Sequence, residues 1–347
     1  MKKAGIITLF GEYNFGNRLQ NYAVQEVLKK HDLDVKTIKY IGLHDDVARS
    51  ETEKDISRLN KFKKFNENIA FADEIIYREL DVRKDFHEDF DYFVIGSDQI
   101  WNYTFDTIFS DKAYAAFAPK YKKISLSASF GVNYLPEEGS EDYRISKAGV
   151  EDMKAISVRE NAGIELVKQL SGRDDAIVLL DPTMMLTAEE WEKVMKKPDS
   201  LKTDKFIVKS FLGNSSDKAM QELKRVAEEN DCEIIDISDK NSPYYDMGPA
   251  EFLYLEKNAF LVATDSFHAC AFSILFNTPF VVFKRDDNVL QSMHSRIETI
   301  LGKFSMEYRI FEDEITDMIL NGDFSHTAAI LEEERNKAKR FLEEALN

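Results

Sequence analysis

The feature that most constrains the fold of this chain is a regular alternation of short apolar runs with helical patterns. Runs rich in β-branched and aromatic residues, such as 5–10, 92–98 and 205–213, are followed by segments whose apolar residues recur at helical spacing. This alternation favours βαβ units, in which helices connect parallel strands. The sequence therefore predicts an α/β protein built on parallel sheets.

The pattern predicts strands and helices over most of the chain; 44–90 is a charged stretch that we interpret as helical. The predicted strands are 5–10, 35–41, 92–98, 123–131, 155–160, 176–183, 205–213, 232–238, 260–265 and 279–284. The predicted helices are 17–31, 141–153, 161–171, 215–230, 248–259, 266–277 and 326–346.

The alternation restarts near residue 204, which indicates two Rossmann-like domains facing a cleft. A length of 347 residues is also long for one core, since roughly 150 residues per domain is typical. We place an N-terminal domain at 1–190 and a C-terminal domain at 200–325. A terminal helix occupies 326–347, and packing on the N-terminal domain is one option for it.

The acidic composition excludes some partners. Lys and Arg number 46 against 63 Asp and Glu, which gives a formal charge of −17. Nucleic acid is not expected as a partner, because phosphates along a strand require a basic stripe. Stable attachment to anionic lipid is not expected either. A small anionic ligand remains compatible with this charge, since a few clustered Arg and His side chains can bind it.

Cofactor and targeting signals are also lacking in the sequence. Cys232 and Cys270 lie in apolar runs and are expected to be core residues. No Cys/His cluster indicates a metal site, so we predict neither metal nor cofactor. The start "MKKAGIITLF" is typical of a first strand rather than a signal peptide, and no run approaches the roughly 18 apolar residues of a membrane span. We therefore expect a cytoplasmic protein.

The loops after the predicted strands are the expected place for functional residues, because ligands of open parallel sheets bind beyond the carboxyl ends of the strands. These loops are 11–18, 96–102, 127–131, 159–160, 210–214 and 265–268.

His268 directly follows a predicted strand, within the first turn of the next helix. A helix N-terminus offers free N–H groups and partial positive charge to an anion. A His there can donate to phosphate or act as an acid. Asp265 and Ser266 precede it, and the alternative is that one of them caps the helix while His268 only packs.

Two arginines are further candidates. Arg159 ends the predicted strand 155–160, and its planar fork suits a carboxylate or a phosphate. The alternative is a surface pair with Glu160. Arg296 follows the last predicted strand, where it either lies over the cleft or belongs to a solvated helix face.

The loop "GSDQIWN" contributes Gly96, Ser97, Asp98 and Trp101. Gly96 is expected to permit a tight exit from the strand. Ser97 and Asp98 place short polar groups at its tip, either for ligand binding or as the N-cap of a turn. Trp101 either packs in the core or stacks on a sugar ring.

The loop after the first predicted strand contributes Asn14, Gly16, Asn17 and Arg18. Gly16 is expected to let the chain turn tightly into the helix. The polar side chains either line the cleft, with Asn17 on sugar hydroxyls and Arg18 on an anion, or form a capped turn with a surface arginine.

Together these stretches resemble the polysaccharide pyruvyl transferase family over residues 4–302. The ordered pair "GSDQIWN" and "TDSFH" is the most specific part of the resemblance. The full series is "NFGNRLQNYAVQ", "FVIGSDQIWN", "KISLSASFG", "ISVRE", "LLDPTMML", "ATDSFHACAFSILFNTPFVVF" and "SRIETIL".

The resemblance implies a GT-B-like fold and a donor, phosphoenolpyruvate. Its enolpyruvyl unit would move to a sugar of a cell-surface polysaccharide or its precursor, forming a pyruvate ketal and releasing phosphate without a cofactor. His268 and Arg159 become the catalytic candidates, with phosphoenolpyruvate on the C-terminal domain and the acceptor on the N-terminal one. The sequence leaves open which sugar or oligosaccharide is the acceptor, whether it is lipid-linked, and the oligomeric state.

One position departs from the family pattern. Members of the family carry an arginine two residues before the histidine, where this chain has Ser266. We hypothesise that Arg18 or Arg296 supplies the missing charge.

Two other functions stay open. One is a glycosyltransferase of the same fold that uses a nucleotide-sugar, whose ribose-binding group would lie in "NSPYYDMGPAEF" (241–252). The other is a non-catalytic glycan-binding relative, for which Ser266 is the only support.

Overall fold

A computed structural model gives the fold of the chain. It describes residues 1–11, 13–42, 52–105, 107–213, 216–284 and 294–347, without the side chains of 294 and 295. Glu12 and Asn214, which fall in two of the predicted loops, lie outside the described residues.

Strands and helices alternate along the described chain. The strands are β1 (Lys2–Leu9), β2 (Leu33–Ile41), β3 (Phe71–Tyr77), β4 (Tyr92–Ile95), β5 (Lys123–Ala128), β6 (Ala155–Val158), β7 (Ile177–Val178), β8 (Phe206–Ser210), β9 (Glu233–Asp236), β10 (Leu261–Thr264) and β11 (Phe280–Val282). The helices are α1 (Phe15–Lys29), α2 (Glu53–Phe65), α3 (Glu141–Glu151), α4 (Asn161–Ser171), α5 (Pro182–Met185), α6 (Ala188–Glu192), α7 (Asp217–Glu229), α8 (Pro249–Asn258), α9 (Phe267–Phe276), α10 (His294–Lys303), α11 (Asp317–Asn321) and α12 (Thr327–Ala345).

The chain divides into two compact units. The first comprises Met1–Arg49, Asn66–Leu186 and Glu333–Asn347, and the second comprises Ser50–Phe65 and Thr187–Glu332. Each unit is built around its own parallel sheet, which confirms the predicted α/β class with two Rossmann-like domains.

The sheet of the first unit has seven strands in the order β3-β2-β1-β4-β5-β6-β7, all paired in parallel. Strands β4 and β5 are buried along their whole length, as expected where helices cover both faces of a parallel sheet. The strand order reverses between β1 and β4, so the loops after these two strands are the expected ligand site of this unit.

The sheet of the second unit has four parallel strands in the order β11-β10-β8-β9. Its order reverses between β8 and β10. The same rule therefore selects the loop after β8 and the passage from β10 into α9.

Two secondary-structure predictions were wrong. The stretch 44–90 contains β3, an edge strand whose Asp and Glu residues and partial exposure hide the strand pattern. The predicted strand 176–183 is reduced to two residues, because Asp181 caps α5 and Pro182 stands at its first turn. Proline there is preorganised for a helix and cannot donate to a sheet.

Helix α2 belongs to the second unit through specific polar contacts. Arg58 Nη1 donates to the backbone carbonyls of Ile237 and Tyr245, at 3.2 and 2.7 Å. Ser57 Oγ donates to Asp246 at 2.6 Å. These bonds attach α2 to the second unit, although α2 is far from the rest of that unit in the sequence. No pattern in the sequence predicted them.

The last residues of the chain belong to the first unit. Arg335 donates to the carbonyls of Met184 and Leu186, at 3.0 and 2.8 Å, and Lys337 to that of Val178 at 2.7 Å. The carboxyl-terminal half of α12 is thereby bound to the segment that follows β7. No helix within the described residues combines the length and the apolar character needed to cross a membrane.

Candidate functional site

Buried polar side chains collect at the carboxyl ends of the strands in both units. The set in the first unit begins where β1 leaves the sheet. Asn14 caps α1 by accepting a hydrogen bond from the Asn17 backbone N–H at 3.1 Å. Asn17 Oδ1 accepts from the Gly11 N–H at 3.1 Å, and its amide nitrogen donates to Asp98 Oδ2. Asn17 therefore ties the loop after β1 to the loop after β4.

Gly16 does not make the predicted turn. It lies inside the first turn of α1, and the glycines with positive φ among the described residues are Gly131, Gly139 and Gly172. The extended backbone of Asn14, with φ −100° and ψ 112°, makes the entry instead.

Arg18 is buried against its own loop. Its guanidinium carbon lies 3.9 Å from the centroid of the Phe10 ring, and Nη2 donates to the Gly11 carbonyl at 3.1 Å. The residue is only 1 % exposed, so the surface-arginine alternative is wrong. A desolvated cation over an aromatic face is stabilised by about 2 kcal/mol, and it fixes a positive charge at the exit of β1.

Asp98 occupies the exit of β4 in the left-handed backbone region, with φ 56°. Its Oδ1 accepts from the Gln99 N–H at 2.8 Å, and its backbone carbonyl accepts from the Ser129 N–H at 2.9 Å. Left-handed backbone costs a residue with a Cβ roughly 1–2 kcal/mol, and such strain clusters at functional sites. The carboxylate is thus held in one direction at the point where the strand order reverses.

Gly96 is required for close packing rather than for positive φ. A Cβ at this position would lie 2.9 Å from Thr8 Cβ on the neighbouring strand. The glycine lets β4 leave the sheet beside β1, which brings Ser97 and Asp98 next to the loop that carries Asn17.

Arg159 is a buried member of an ion-pair network. Its Nη1 lies 2.8 Å from Asp181 Oδ2, and its Nη2 lies 3.9 Å from Asp98 Oδ1. Burial opposes the charged guanidinium, but the carboxylates of Asp181, Asp98 and Glu160 outweigh it and hold the pKa of Arg159 above its ordinary value. The alternative of a surface pair with Glu160 is therefore wrong.

Asp181 is the polar residue of this set that sequence reasoning left without a role. Its Oδ1 accepts from the N–H and the hydroxyl of Thr183, at 3.0 and 2.8 Å, and caps α5. Its Oδ2 accepts from Ser97 Oγ as well as from Arg159. The dipeptide Asp-Pro at a helix start was the available signal, and it indicates the cap but not the ion pair.

Glu160 fixes the loop after β5. Its Oε1 accepts from Ser129 Oγ at 2.9 Å and from the Phe130 N–H at 3.0 Å. The side chain is buried, and these two hydrogen bonds hold the loop in place.

Trp101 lies in the hydrophobic core of the first unit. It is fully buried, it stacks on Tyr114 at a centroid distance of 5.1 Å, and its Nε1–H donates to the Ala113 carbonyl at 3.1 Å. The structure favours the packing alternative, since no face of this ring is open to a sugar.

The set in the second unit lies where β10 passes into α9. The Asp265 carboxylate accepts from the backbone N–H groups of Leu212 and Gly213, at 2.7 and 2.9 Å. It therefore joins the two loops at which the strand order of the second sheet reverses, rather than capping α9.

Ser266 is the N-cap residue of α9, and within the described structure its side chain makes no capping hydrogen bond. Its backbone N–H donates to Thr264 Oγ1 at 2.9 Å. His268 follows in the first turn of the helix, 8 % exposed and edge-to-face with Phe267 at 5.4 Å. Helix α10, which carries the buried Arg296, packs against α9.

The two sets differ in charge. The first holds the carboxylates of Asp98, Asp181 and Glu160 with the guanidinium groups of Arg159 and Arg18. In the second, the Asp265 carboxylate accepts from the Leu212 and Gly213 amides of the loop after β8. It lies in the chain directly before α9, whose N-terminus attracts anions. No group of three or more His, Cys, Asp or Glu side chains among the described residues could hold a metal ion.

A family model described as polysaccharide pyruvyl transferase matches residues 14–287, well over half of the chain. The chain belongs to the polysaccharide pyruvyl transferase family. The family resemblance seen in the sequence is thereby confirmed. The matched region of this pyruvyl transferase family member includes both polar sets, from Asn14 to His268, while Arg296 lies beyond it.

Solved structures with a similar fold include two UDP-N-acetylglucosamine 2-epimerases, one of them putative. A putative UDP-N-acetylglucosamine 2-epimerase from Listeria monocytogenes is 11 % identical, with a TM-score of 0.52 over 98 % of this chain and 91 % of that one. A UDP-GlcNAc 2-epimerase from Neisseria meningitidis, bound to UDP-GlcNAc, is 14 % identical, with a TM-score of 0.51 over 100 % of both chains. At identities this low the structural likeness shows the fold alone, and it confirms the GT-B-like fold predicted for this pyruvyl transferase family member. A search of curated proteins found no match.

Proposed function

We propose that this chain transfers the enolpyruvyl unit of phosphoenolpyruvate to a sugar of a cell-surface polysaccharide or its precursor. The product is a pyruvate ketal on two hydroxyls, and phosphate is released. Membership in the family supports a transferase that acts on polysaccharide. The observation that carries the donor assignment is His268 in the first turn of α9, where the strand order of the second sheet reverses.

The proposed reaction sets clear chemical demands. A proton is added to the methylene carbon of phosphoenolpyruvate, and a sugar hydroxyl attacks the resulting cationic carbon and loses its proton. The carbon–oxygen bond to phosphate then breaks, with the electron pair leaving on phosphate. A second hydroxyl attacks the same carbon, loses its proton and closes the ketal. The site must therefore supply an acid, a proton acceptor and preorganised positive charge.

On the donor side, we assign the acid or phosphate-donor role to His268. The first-turn amides of α9 provide hydrogen-bond donors for the phosphate. Asp265 holds the Leu212 and Gly213 amides in place, which shapes the loop beside that helix end. Arg296, on the helix packed against α9, is our candidate for the charge that Ser266 does not provide.

On the acceptor side, we assign the proton acceptor to Asp98. Its two oxygens receive hydrogen bonds from Asn17 and Gln99, which fix the carboxylate for contact with a hydroxyl. Arg159 is then a positioning residue, because Asp181 already binds its Nη1 and Asp98 lies beside its Nη2.

The glycosyltransferase alternative gains no support from the segment 241–252. That segment is bonded to α2, through the Tyr245 carbonyl to Arg58 and through the Asp246 carboxylate to Ser57 and Lys61. Inside the segment, Glu251 accepts from the Gly248 N–H at 3.2 Å. These contacts give its polar groups a structural use.

The decisive experiment is thermal unfolding with and without phosphoenolpyruvate. A ligand bound only by the folded state stabilises it by about 2.7 kcal/mol at one hundred times its Kd. We expect a Tm increase in the wild type and in the His87→Ala control, whose imidazole lies in the first unit beside the Lys84 carbonyl. His268→Ala should lose most of it. A Tm increase with UDP-sugars and none with phosphoenolpyruvate would instead establish the glycosyltransferase.

A further inference from the structure

The loops after β4 and β5 run side by side beyond the carboxyl ends of their strands. The Ser129 N–H donates to the Asp98 carbonyl at 2.9 Å, and the Trp101 N–H donates to the Ser129 carbonyl at 3.1 Å. Gly131, with φ 70°, lies so close to Asn102 that a Cβ there would be 2.5 Å from its Nδ2. The two loops therefore form one ordered surface that begins at Asp98.

Two tyrosines meet farther along this surface. The rings of Tyr103 and Tyr134 lie edge-to-face, with centroids 6.1 Å apart and planes at 86°. The Tyr103 hydroxyl donates to the Leu135 carbonyl at 3.4 Å, and its ring packs against the core of the first unit. Burial, together with Tyr134 and Asp142, raises the pKa of Tyr103 to about 12, and the contacts with Leu135 and with the core anchor its ring. Tyr134 leans on it and is 51 % exposed.

The position of Tyr134 is unusual for an exposed ring. Among the described residues, the aromatic side chains that count as exposed are Tyr134 and Tyr121. Tyr121 lies in the turn before β5, at the amino end of the sheet. Tyr134 lies past the carboxyl end, where parallel sheets bind ligands.

We propose that Tyr134, supported by Tyr103, is a stacking platform for a neutral sugar ring of the acceptor, next to the sugar that is modified. The inference rests on the proposed function for the identity of the acceptor. An aromatic face carries negative charge density, which attracts the polarised C–H groups on one face of a pyranose. Tyrosine offers this face at low conformational-entropy cost, and the edge-to-face contact holds the ring in place.

The distance along the loop indicates which sugar stacks. Tyr103 is the fifth residue after Asp98, so their Cα atoms are at most ~18 Å apart. The buried Trp101 and Asn102 stand between them along the chain. The platform is therefore within reach of a second ring of the acceptor when the first lies at Asp98, and an oligosaccharide acceptor is part of the proposal.

The charge of the surroundings indicates the class of sugar. Glu137 and Glu138 are exposed shortly after Leu135, and Asp142 acts electrostatically on Tyr103. Arg144 donates to the Gly139 carbonyl at 2.9 Å, so these three carboxylates outnumber the neighbouring guanidinium. An acidic sugar is repelled where the carboxylates lie within about a Debye length of it. The platform therefore selects neutral hexose or N-acetylhexosamine units over uronic acid units.

The test is binding of immobilised neutral tetrasaccharides of the chito, malto, manno and galacto series, with tetragalacturonate as the acidic probe. We expect the wild type to bind at least one neutral series and not the acidic probe. Tyr134→Ala should weaken that binding at least tenfold, while Tyr134→Phe and the exposed control Tyr121→Ala retain it. The Tm increase with phosphoenolpyruvate should be the same in all four proteins.

Three results would overturn the platform: equal binding by Tyr134→Ala, preference for tetragalacturonate, or no neutral series bound by the wild type. A Tm increase with phosphoenolpyruvate but no neutral glycan bound would remove the platform and leave the donor assignment. Neutral glycan binding that depends on Tyr134, without any effect of phosphoenolpyruvate, would establish the platform and remove the proposed transfer.

Discussion

Arg159 and Asp181 form a fully buried ion pair of 2.8 Å, in which the same carboxylate also caps α5 and accepts from Ser97. One carboxylate thus connects the ends of β4 and β6 with the segment that follows β7. Asp98 lies 3.9 Å from the other side of the guanidinium, so the pair also fixes the electrostatic surroundings of the proposed proton acceptor.

Removing one partner of this pair should be costly. Asp181→Asn keeps a capping side chain but leaves the buried guanidinium with less compensation, and we expect a loss of about 3 kcal/mol in the free energy of unfolding. Urea denaturation measures it. The control Glu151→Gln removes an exposed pair with Lys147 and should cost less than about 1 kcal/mol. Equal losses in the two variants would contradict the buried-pair interpretation.

Substitution of Asn17 should reveal its contact with Asp98. Asn17→Ala leaves buried groups without their partner and should cost about 1–3 kcal/mol. Asn17→Asp should cost more at neutral pH, because it places a second carboxylate beside Asp98. Urea denaturation of both variants at neutral pH measures these losses in the free energy of unfolding. If Asn17→Asp were more stable than Asn17→Ala at neutral pH, the contact between Asn17 and Asp98 would be absent in solution.

The missing family arginine gives a third test. If Arg296 supplies the charge that Ser266 lacks, Arg296→Ala should weaken the Tm increase with phosphoenolpyruvate, and Ser266→Arg should restore it in that background. Arg18→Ala is the parallel variant in the first unit. If neither arginine variant weakens the effect, the compensation hypothesis is wrong.

Ionisation of Glu256 should lower the free energy of unfolding as the pH rises. It is fully buried between α8 and α9, where Ser273 Oγ donates to it at 3.2 Å, and burial raises its pKa well above its usual range. A raised folded pKa contributes stability below the ordinary value of 4.5, and this contribution is lost as the pH rises through the folded pKa. Glu256→Gln cannot ionise, so its Tm should match the wild type near pH 4 and exceed it near pH 8. A constant Tm difference across that range would refute the assignment.

Asp55 should have the opposite effect, because its protonation should lower the free energy of unfolding as the pH falls. Hydrogen bonds from the Thr52 hydroxyl and N–H, at 2.8 and 3.1 Å, and from Tyr245 lower its pKa to about 2. A lowered folded pKa gives stability above the ordinary value of 3.8 that is lost as the pH falls through about 2. Asp55→Asn should therefore be less stable than wild type at neutral pH, and the difference in Tm should shrink as the solution is acidified. A difference that grows on acidification would reverse the sign and sink the argument.

The central strands were predictable because a buried parallel strand is a short, nearly continuous apolar run, and β1, β4 and β10 have this pattern. Edge strand β3 was not, since half-exposed positions admit Asp and Glu and erase the pattern. It was also not predictable that α2 belongs to the second unit, because this depends on long-range hydrogen bonds such as that from Arg58 to the Ile237 carbonyl.

Candidate site residues were found by their position after strands, which a sequence does carry. What it does not carry is direction. Trp101 and Asp98 belong to the same loop, yet one side chain fills the core and the other faces the polar set. Burial of Arg159 was equally hidden, since its partner Asp181 stands 22 residues away. Such outcomes depend on which strands become neighbours.

The interleaved membership of α2 and of the final helix has a consequence for evolution by recombination. Exchanging one unit for that of a relative would require junctions after residues 49, 65, 186 and 332, and the last of these falls inside α12. A single crossover near residue 186 would instead leave each unit with a helix from the other parent. The second unit would receive a foreign α2, and the first unit would receive a foreign end of α12. We therefore expect the two units to be inherited together. Substitutions in α2 and α12 should be accompanied by compensating substitutions in the residues that contact these helices from distant parts of the sequence.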